Sequence, residues 1–452
     1  MIFQPNLQRP LSGNNMKFLI AICTAVLLLS SCGSGKRSTD TIARKPQPKI
    51  EKPTVQEVDT IYWTEIDKES EYEKAIEEIL MDKRDSYSVK LLFPFEIAKN
   101  NKADIYKPET KLGRMVHYYA GVQLALEQLD KEGVTLDVEV IDAESGRFDN
   151  KLQYCKEADV IIGPRDSDQL AVVANFGKVN EIPVVSPWKS GAKISTDNPY
   201  FIQLKPGLVD HFKKLVEYAV NAHALDDIYI LGRKNKREDL TYFRYFQAIA
   251  AEILDTDNSK PLQEFYVSED SLVFGETAFD SLFTEGEKHC LILPHWSFSS
   301  DEDFVYNVAR KLNGERGMHE IYLYGMPILF ESEKLTFDLY RSLNMHICRS
   351  SYVDRNSAVT DVFRKAYFDA YRDFPSEEAY EAYDMMLYIG RSLHNFGKGF
   401  QYFLDSNTSS LLQTNYDIQK VYGDGDDFES IQYFQNKHLF ILAFENDHFV
   451  AY

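Results

Sequence analysis

The sequence has no run of about 20 apolar residues, the length a membrane-spanning helix needs; its longest such stretch, residues 18–29, is much shorter. Local signatures of common enzyme sites are missing too. There is no G-x-S-x-G, no H-E-x-x-H and no P-loop, and no G-x-G-x-x-G follows a strand-like run. The ten histidines show no ligand spacing. The acidic run GDGDDFE, with Asp424, Asp426 and Asp427, lacks the twelve-residue calcium pattern and reads as a turn. No metal, no cofactor and no catalysis are therefore expected. Positive charge is also scarce: 50 Lys and Arg against 70 Asp and Glu give −20, which opposes nonspecific binding to nucleic acid or anionic lipid. Of five cysteines, Cys23 and Cys32 lie in the first segment, leaving Cys155, Cys290 and Cys348. An odd count allows one disulfide and a leftover thiol, or three buried thiols. The apolar runs HCLILP and MHICRSSY around Cys290 and Cys348 favour the second state.

Against these absences, residues 16–32 (MKFLIAICTAVLLLSSC) stand out. Lys17 precedes an apolar core, and Ser30 and Ser31 lead into Cys32. A core this short with small residues at its end is a cleavable secretory signal. Met16 is the better start, because the first 15 residues only dilute a compact signal. The run LLSSC resembles the box of bacterial lipoproteins, which implies cleavage before Cys32 and acylation (palmitate) of its thiol. Cleavage removes Arg9 and Lys17 and no acid, making the mature chain two charges more negative. Gly33 rather than Asp follows Cys32, and no acidic cluster stands in GSGKRSTD. By resemblance, that implies an outer-membrane lipoprotein facing the periplasm.

From Gly33 to about Asp59 the chain is rich in Lys, Pro, Thr and Glu and reads as an extended tether. Residues 65–82 carry Ile66, Tyr72, Ile76, Ile79 and Leu80 at helical spacing. From Ser88 onward short apolar strands alternate with helices: SVKLLFPF, YYAGVQLALEQLDKEG, LDVEVID, CKEADVIIGP, SDQLAVVANFGKVN and IPVVSP. A second series of the same kind, including IYILG, LTYFRYFQAIAAEIL, TAFDSLF, HCLILP and EIYLYGMP, begins near Pro206 after the extended PYFIQLKP. Such alternation predicts parallel sheets covered on both faces, here two doubly wound lobes around a cleft. The expected division is signal 1–31, lipidated tether with a short helix 32–85, lobe I at 86–204 plus about 352–420, and lobe II at 205–351 plus about 421–452.

The order of these elements resembles type I periplasmic binding proteins of the leucine/isoleucine/valine-binding kind. The resemblance rests on YYAGVQLALEQL, LDVEVIDAES, ADVIIGPRDSDQLAVVANFGKVNEIPVVSPWKS, PYFIQLKP, FRKAYFDAYRDFPSEEAYEAYDMMLYIGRSL and IQYFQNKHLFILAF, spanning roughly residues 88 to 445. It implies two α/β lobes that close on a small molecule.

In open parallel sheets ligands sit beyond the carboxyl ends of the strands. In lobe I those loops contain Phe95 and Glu96, then Arg165, Asp166, Ser167 and Asp168, then Trp188, Lys189 and Ser190. In amino-acid-binding members the last two loops hold the ligand's carboxylate, which by resemblance assigns Ser167 and Ser190. Ser167 equally suits a helix N-cap. Lobe II departs from the family: in place of an acidic residue and a Tyr-Gly pair it has GRKNKREDL, with Arg233, Lys234, Lys236 and Arg237. That run suits an anionic ligand, an acidic partner or a solvated surface. Later strand ends add His295, Trp296, Tyr324, Gly325 and Met326. Trp188 and Trp296 either offer flat faces to a ring across the cleft or clamp the lobes together.

Two functions follow. One is a membrane-anchored solute-binding lipoprotein that closes on an amino-acid- or peptide-like molecule for an ABC-type transporter or sensor. The other is a non-transport envelope scaffold, such as an activator of a peptidoglycan synthase, on the same fold. Both expect an envelope membrane-protein partner, contact with the membrane through the lipid anchor alone, and no nucleic acid. Replacing Cys32 by Ser is expected to abolish palmitate incorporation and to move the chain from the membrane to the soluble fraction. Unchanged labelling would refute the lipidation reading.

Overall fold

The computed structural model describes residues 82–95, 107, 110–143, 148–191, 193–274, 277–283, 288–407, 409–423 and 430–452. The signal, Cys32, the tether, the helix expected at 65–82 (save its last residue), Glu96, Asp424, Asp426 and Asp427 lie outside the described residues.

The first series runs β1 (Tyr87–Phe93), α1 (Lys111–Lys131), β2 (Leu136–Asp142), β3 (Val160–Ile162), α2 (Ser167–Asn180), β4 (Val184–Ser186) and β5 (Phe201–Gln203). The second runs α3 (Leu208–Ala222), β6 (Ile228–Arg233), α4 (Arg237–Ile253), β7 (Gln263–Val267), β8 (Lys288–Leu293), α5 (Phe298–Glu315), β9 (Glu320–Gly325) and β10 (His346–Arg349). The chain returns through α6 (Ala358–Tyr371), α7 (Glu377–Phe396) and a hairpin of β11 (Ser409–Ser410) and β12 (Asn415–Tyr416). It finishes with β13 (Ile418–Tyr422), β14 (Ile431–Asn436), β15 (Phe440–Glu445) and β16 (His448–Ala451).

Two seven-stranded sheets result, in the orders β13-β14-β5-β4-β3-β1-β2 and β16-β15-β10-β9-β8-β6-β7. The central strands are parallel, and antiparallel pairs stand only at one edge of each sheet. This is the expected pair of doubly wound lobes. Central strands such as β3 and β4 are buried throughout, whereas β2, at an edge, alternates Asp137 and Glu139 outward with Val138 and Val140 more covered.

The division differs from the sequence expectation at one place. Residues 421–452 were expected in lobe II, but β14 pairs in parallel with β5, which puts β13 and β14 in lobe I. Only β15 and β16 extend the second sheet. Three residues of the expected crossover PYFIQLKP likewise join sheet I as β5. The helix expected in TAFDSLF is a set of turns, in which Ala278 and Phe279 N–H groups donate to Glu315 at 2.8–3.0 Å. A segment this short cannot repay helix nucleation, and a carboxylate from α5 satisfies its backbone instead. Cys155, Cys290 and Cys348 are free and buried, the second of the two states the sequence allowed.

Lobe I is closed on one face by α1 against α7. Their axes approach so closely at Gly121 that a Cβ there would lie 2.1 Å from the Ala379 carbonyl oxygen. Only hydrogen fits. Among the described residues no helix is long and apolar enough to cross a membrane.

Three segments join the lobes: residues 204–207, 350–357 and 437–439. The second is braced by the turn between β11 and β12. Tyr352 donates its N–H to the Gln413 carbonyl at 2.7 Å, and Thr414 Oγ1 donates to the Ser350 carbonyl at 2.8 Å. That turn is held by Asp384 of α7, wholly buried, which accepts from the N–H groups of Leu412, Gln413 and Thr414 at 3.0, 2.7 and 3.3 Å.

Burial raises the Asp384 carboxyl to about 7 even against these three donors. A carboxyl raised in the folded state stabilises folding only while protonated. Its contribution therefore falls as pH rises from about 4, the unfolded value, through about 7, and is flat above that. In Asp384→Asn this slope vanishes and an acceptor is lost, at a cost of about 1–3 kcal/mol. The difference in unfolding free energy, wild type minus variant, should shrink between about pH 5 and pH 8 in urea titrations. A difference independent of pH would refute the assignment.

Candidate functional site

The carboxyl ends of the lobe I strands converge on an aromatic corner. Phe93 closes β1, and its ring meets Phe95 at 5.6 Å, Tyr118 of α1 at 5.4 Å and Trp188 at 5.9 Å, centroid to centroid. Trp188 lies 5.0 Å from Tyr118, and Phe95 lies 6.3 Å from Tyr119. Gly163, at the end of β3, makes this packing possible. Its φ is +87°, and a Cβ would stand 2.6 Å from the Leu92 carbonyl oxygen and 3.2 Å from the Trp188 ring.

Tyr118 is fully buried, and its hydroxyl has no hydrogen-bond partner among the described residues. Burial, with the nearby Glu381 carboxylate adding to it, pushes its pKa well above the usual phenol value. Glu381 of α7 in turn pairs with Lys205 of the first connection at 3.3 Å. The Tyr118 hydroxyl, near the Glu381 carboxylate and packed with the Phe93 and Trp188 rings, is thus an unmet polar group inside the corner.

The other lobe I candidates are committed elsewhere. The N-cap of α2 is Asp166, not Ser167: Asp166 Oδ1 accepts from the N–H groups of Asp168 and Gln169 at 3.1 and 3.0 Å. Ser167 is the exposed first residue of the helix. The protein's own carboxylate thus takes the backbone donors that a bound carboxylate would use. Ser190 Oγ donates to the Pro206 carbonyl at 2.8 Å, and the Gly191 N–H donates to Gln203 Oε1 at 2.7 Å. This loop is tied to the first connection. Lys189 is exposed, its carbonyl accepting from Ser186 Oγ at 2.7 Å.

Lobe II overturns the reading of Arg233 as an anion receiver. Arg233 is only 8% exposed. Its Nη2 donates to Asp239 Oδ1 at 2.8 Å, its Nη1 lies 3.1 Å from Asp301 Oδ1, and its guanidinium sits 5.1 Å over the Phe304 ring. Asp239 also accepts from the Arg233 backbone N–H at 2.5 Å and lies 3.0 Å from His295 Nε2. Burial alone would raise Asp239, but the hydrogen bonds from His295 and Arg233 hold it well below the ordinary carboxylate range. Lys234, Lys236 and Arg237 point to solvent, as a solvated run would. Met326 is 2% exposed within the lobe II core and is not available to a ligand, and Tyr324 is buried with it. Trp296 is 49% exposed, and no ring contact joins it to Trp188. The clamp of two tryptophans is therefore not formed. Among the described residues no group of three or more His, Cys, Asp or Glu is placed to hold a metal.

Sequence reasoning missed Tyr118, Glu381, Asp239 and Asp301. The last two carried a signal, since each stands in the first turn of a helix after a strand, but an acid there reads as helix stabilisation. Tyr118 and Glu381 are 263 positions apart within helical patterns, and nothing local marks either.

No protein-family model matches the chain, and no curated protein matches its sequence. Solved structures do match. An ABC transporter substrate-binding protein from Desulfitobacterium hafniense aligns over 81% of this chain and 100% of its own, at 12% identity and TM-score 0.51. An ABC-type branched-chain amino acid transporter from Rhodopseudomonas palustris aligns over 81% and 95%, at 13% identity and TM-score 0.51. Full-length LpoA from Haemophilus influenzae aligns over 84% of this chain and 61% of its own, at 11% identity and TM-score 0.51. At such identities the likeness establishes the fold, that of the type I periplasmic binding proteins.

Asp239→Ala would leave Arg233 and His295 buried without their shared acceptor, and is expected to cost about 3–5 kcal/mol in urea unfolding. Lys234→Ala should stay within about 0.5 kcal/mol. Because Asp239 is depressed in the folded state, its contribution is present above about pH 4 and is lost as pH falls below it. Equal effects of the two substitutions would dissolve the network.

Proposed function

We propose that this chain is an envelope solute-binding lipoprotein. Lipidated Cys32 holds it to the periplasmic face of the outer membrane, and its lobes close on an amino-acid- or peptide-like molecule. The closed form is presented to an ABC-type transporter or a sensor. The observation that carries this reading is the aromatic corner of lobe I, where the buried Tyr118 hydroxyl stands without a partner, packed with Phe93 and Trp188 and near the Glu381 carboxylate that pairs with Lys205. A ligand's polar group would satisfy that hydroxyl, and the rings would cover its apolar part. The fold and its substrate-binding relatives support the same reading. No residue in it performs covalent chemistry.

A second reading, a scaffold that activates a peptidoglycan synthase, is favoured by one set of observations. Asp166 and Arg233 fill, from within the protein, the strand ends where a charged ligand would bind. The likeness to LpoA fits that reading as well.

The two are separated by melting the chain, purified without its lipid, against amino acids, peptides, sugars and muropeptides. A binder gains about 2.7 kcal/mol at a hundredfold excess over its Kd. The solute reading expects a shift with an amino-acid- or peptide-like compound that disappears in Trp188→Ala. Should no compound shift the melt while a pull-down recovers an envelope synthase, the solute reading fails and the scaffold stands.

A further inference from the structure

At the pole of lobe II opposite the cleft, the sheet departs from the aliphatic packing of its centre. Tyr322 and Tyr324 of β9 and His346, the first residue of β10, project from one face. Tyr218 and His223, at the end of α3, cover them. Tyr324 and His346 are paired across the strands, with ring centroids 4.6 Å apart. His223 stands 4.7 Å from Tyr322, and Tyr218 stands 5.6 Å from His346. The cluster borders a pocket of about 280 Å³, rimmed by Ala222, Asp227 and Lys288.

The histidine and tyrosine groups lining it are fixed and uncharged. His346 Nδ1 lies 2.8 Å from the Asn344 carbonyl, so Nδ1 carries the hydrogen and Nε2 keeps a lone pair. His223 Nε2 and the Tyr324 hydroxyl share a hydrogen bond of 2.7 Å. Burial lowers the pKa of both histidines, keeping them neutral. The Tyr322 hydroxyl donates to Glu320 at 2.6 Å and can still accept. Lys288 is neutralised by the same Glu320 at 3.4 Å. The walls thus combine ring faces with hydroxyl and imidazole groups and no unpaired charge, apart from Asp227 at the rim. The volume is just below the roughly 300–1,000 Å³ of drug-sized sites and suits a single ring.

We propose that this pocket binds a neutral, hydroxylated six-membered ring of the pyranose class, with its C–H faces on the tyrosine and histidine rings and its hydroxyls on Tyr322 and His346. Such a ring matches the lining group for group: apolar faces for the aromatic walls, and hydroxyls that both donate and accept at the edge. An anion finds no free counter-charge within, since Lys288 is paired with Glu320. This site is separate from the lobe I corner and does not depend on it.

The test is isothermal titration of the whole chain, solubilised in detergent, with N-acetylglucosamine and methyl glucoside, and with leucine as the charged comparison. Saturable heat is expected with at least one sugar. Ala222→Trp, a plug placed at the exposed rim, should weaken binding by about tenfold or more with an unchanged melting temperature. Tyr322→Phe, which keeps the ring and removes the hydroxyl, should weaken it several-fold. The proposal is overturned if neither sugar gives saturable heat, or if both variants bind as the wild type does. Leucine saturating a site that Ala222→Trp abolishes would overturn the ligand class.

Discussion

A chain that crosses three times between two sheets must leave backbone in the interior with no strand beside it. Unpaired N–H groups there cost as much as a lost hydrogen bond each. Asp384 resolves this for the turn between β11 and β12 by taking three of them on one carboxylate. That turn then supplies the carbonyl and the hydroxyl that brace Tyr352 and Ser350 in the second connection. The geometry of the joint is thus set from within lobe I, and lobe II hangs from it. The same helix bears Glu381, which reaches Lys205 of the first connection, and Glu377, which lies 3.5 Å from Arg349 at the end of β10. One face of α7 therefore touches two of the three connections, and its tight seat against α1 at Gly121 leaves it little freedom to shift.

The lobes differ in how they finish their strand ends. In lobe II, charge is neutralised internally: Arg233, Asp239, His295 and Asp301 satisfy one another beneath the surface. In lobe I, aromatic rings surround a hydroxyl left over. A buried ion network is rigid and costly to disturb, whereas a buried phenol without a partner leaves a polar demand unmet.

Much of this architecture was legible in the sequence, for a physical reason. Runs such as DVIIGP and PVVSP are too short and too apolar to be anything but buried strands, and α2 begins and ends where its pattern predicts. What escaped notice depends on which backbone lies alongside. β14 looks like any closing strand, and only its parallel pairing with β5 assigns it to lobe I. Ser167 and Asp166 are both good caps, and one residue of register decides between them. Arg233 looks like the start of its basic run, yet the strand turns it inward while Lys234 turns out. The aromatic corner needs Phe93, Tyr118, Trp188 and Glu381 from four distant segments, and no local pattern brings them together.

The pairing of β14 with β5 and of β15 with β10 also orders events in time. Both sheets are left with a raw edge until residues 431–445 arrive, since those residues finish lobe I and lobe II in immediate succession. During synthesis neither half can complete its ladder before residue 431 emerges, so the nascent chain keeps exposed strand edges until then. A break before residue 431 would leave two sheets unfinished, and one between residues 437 and 439 would leave only the second so.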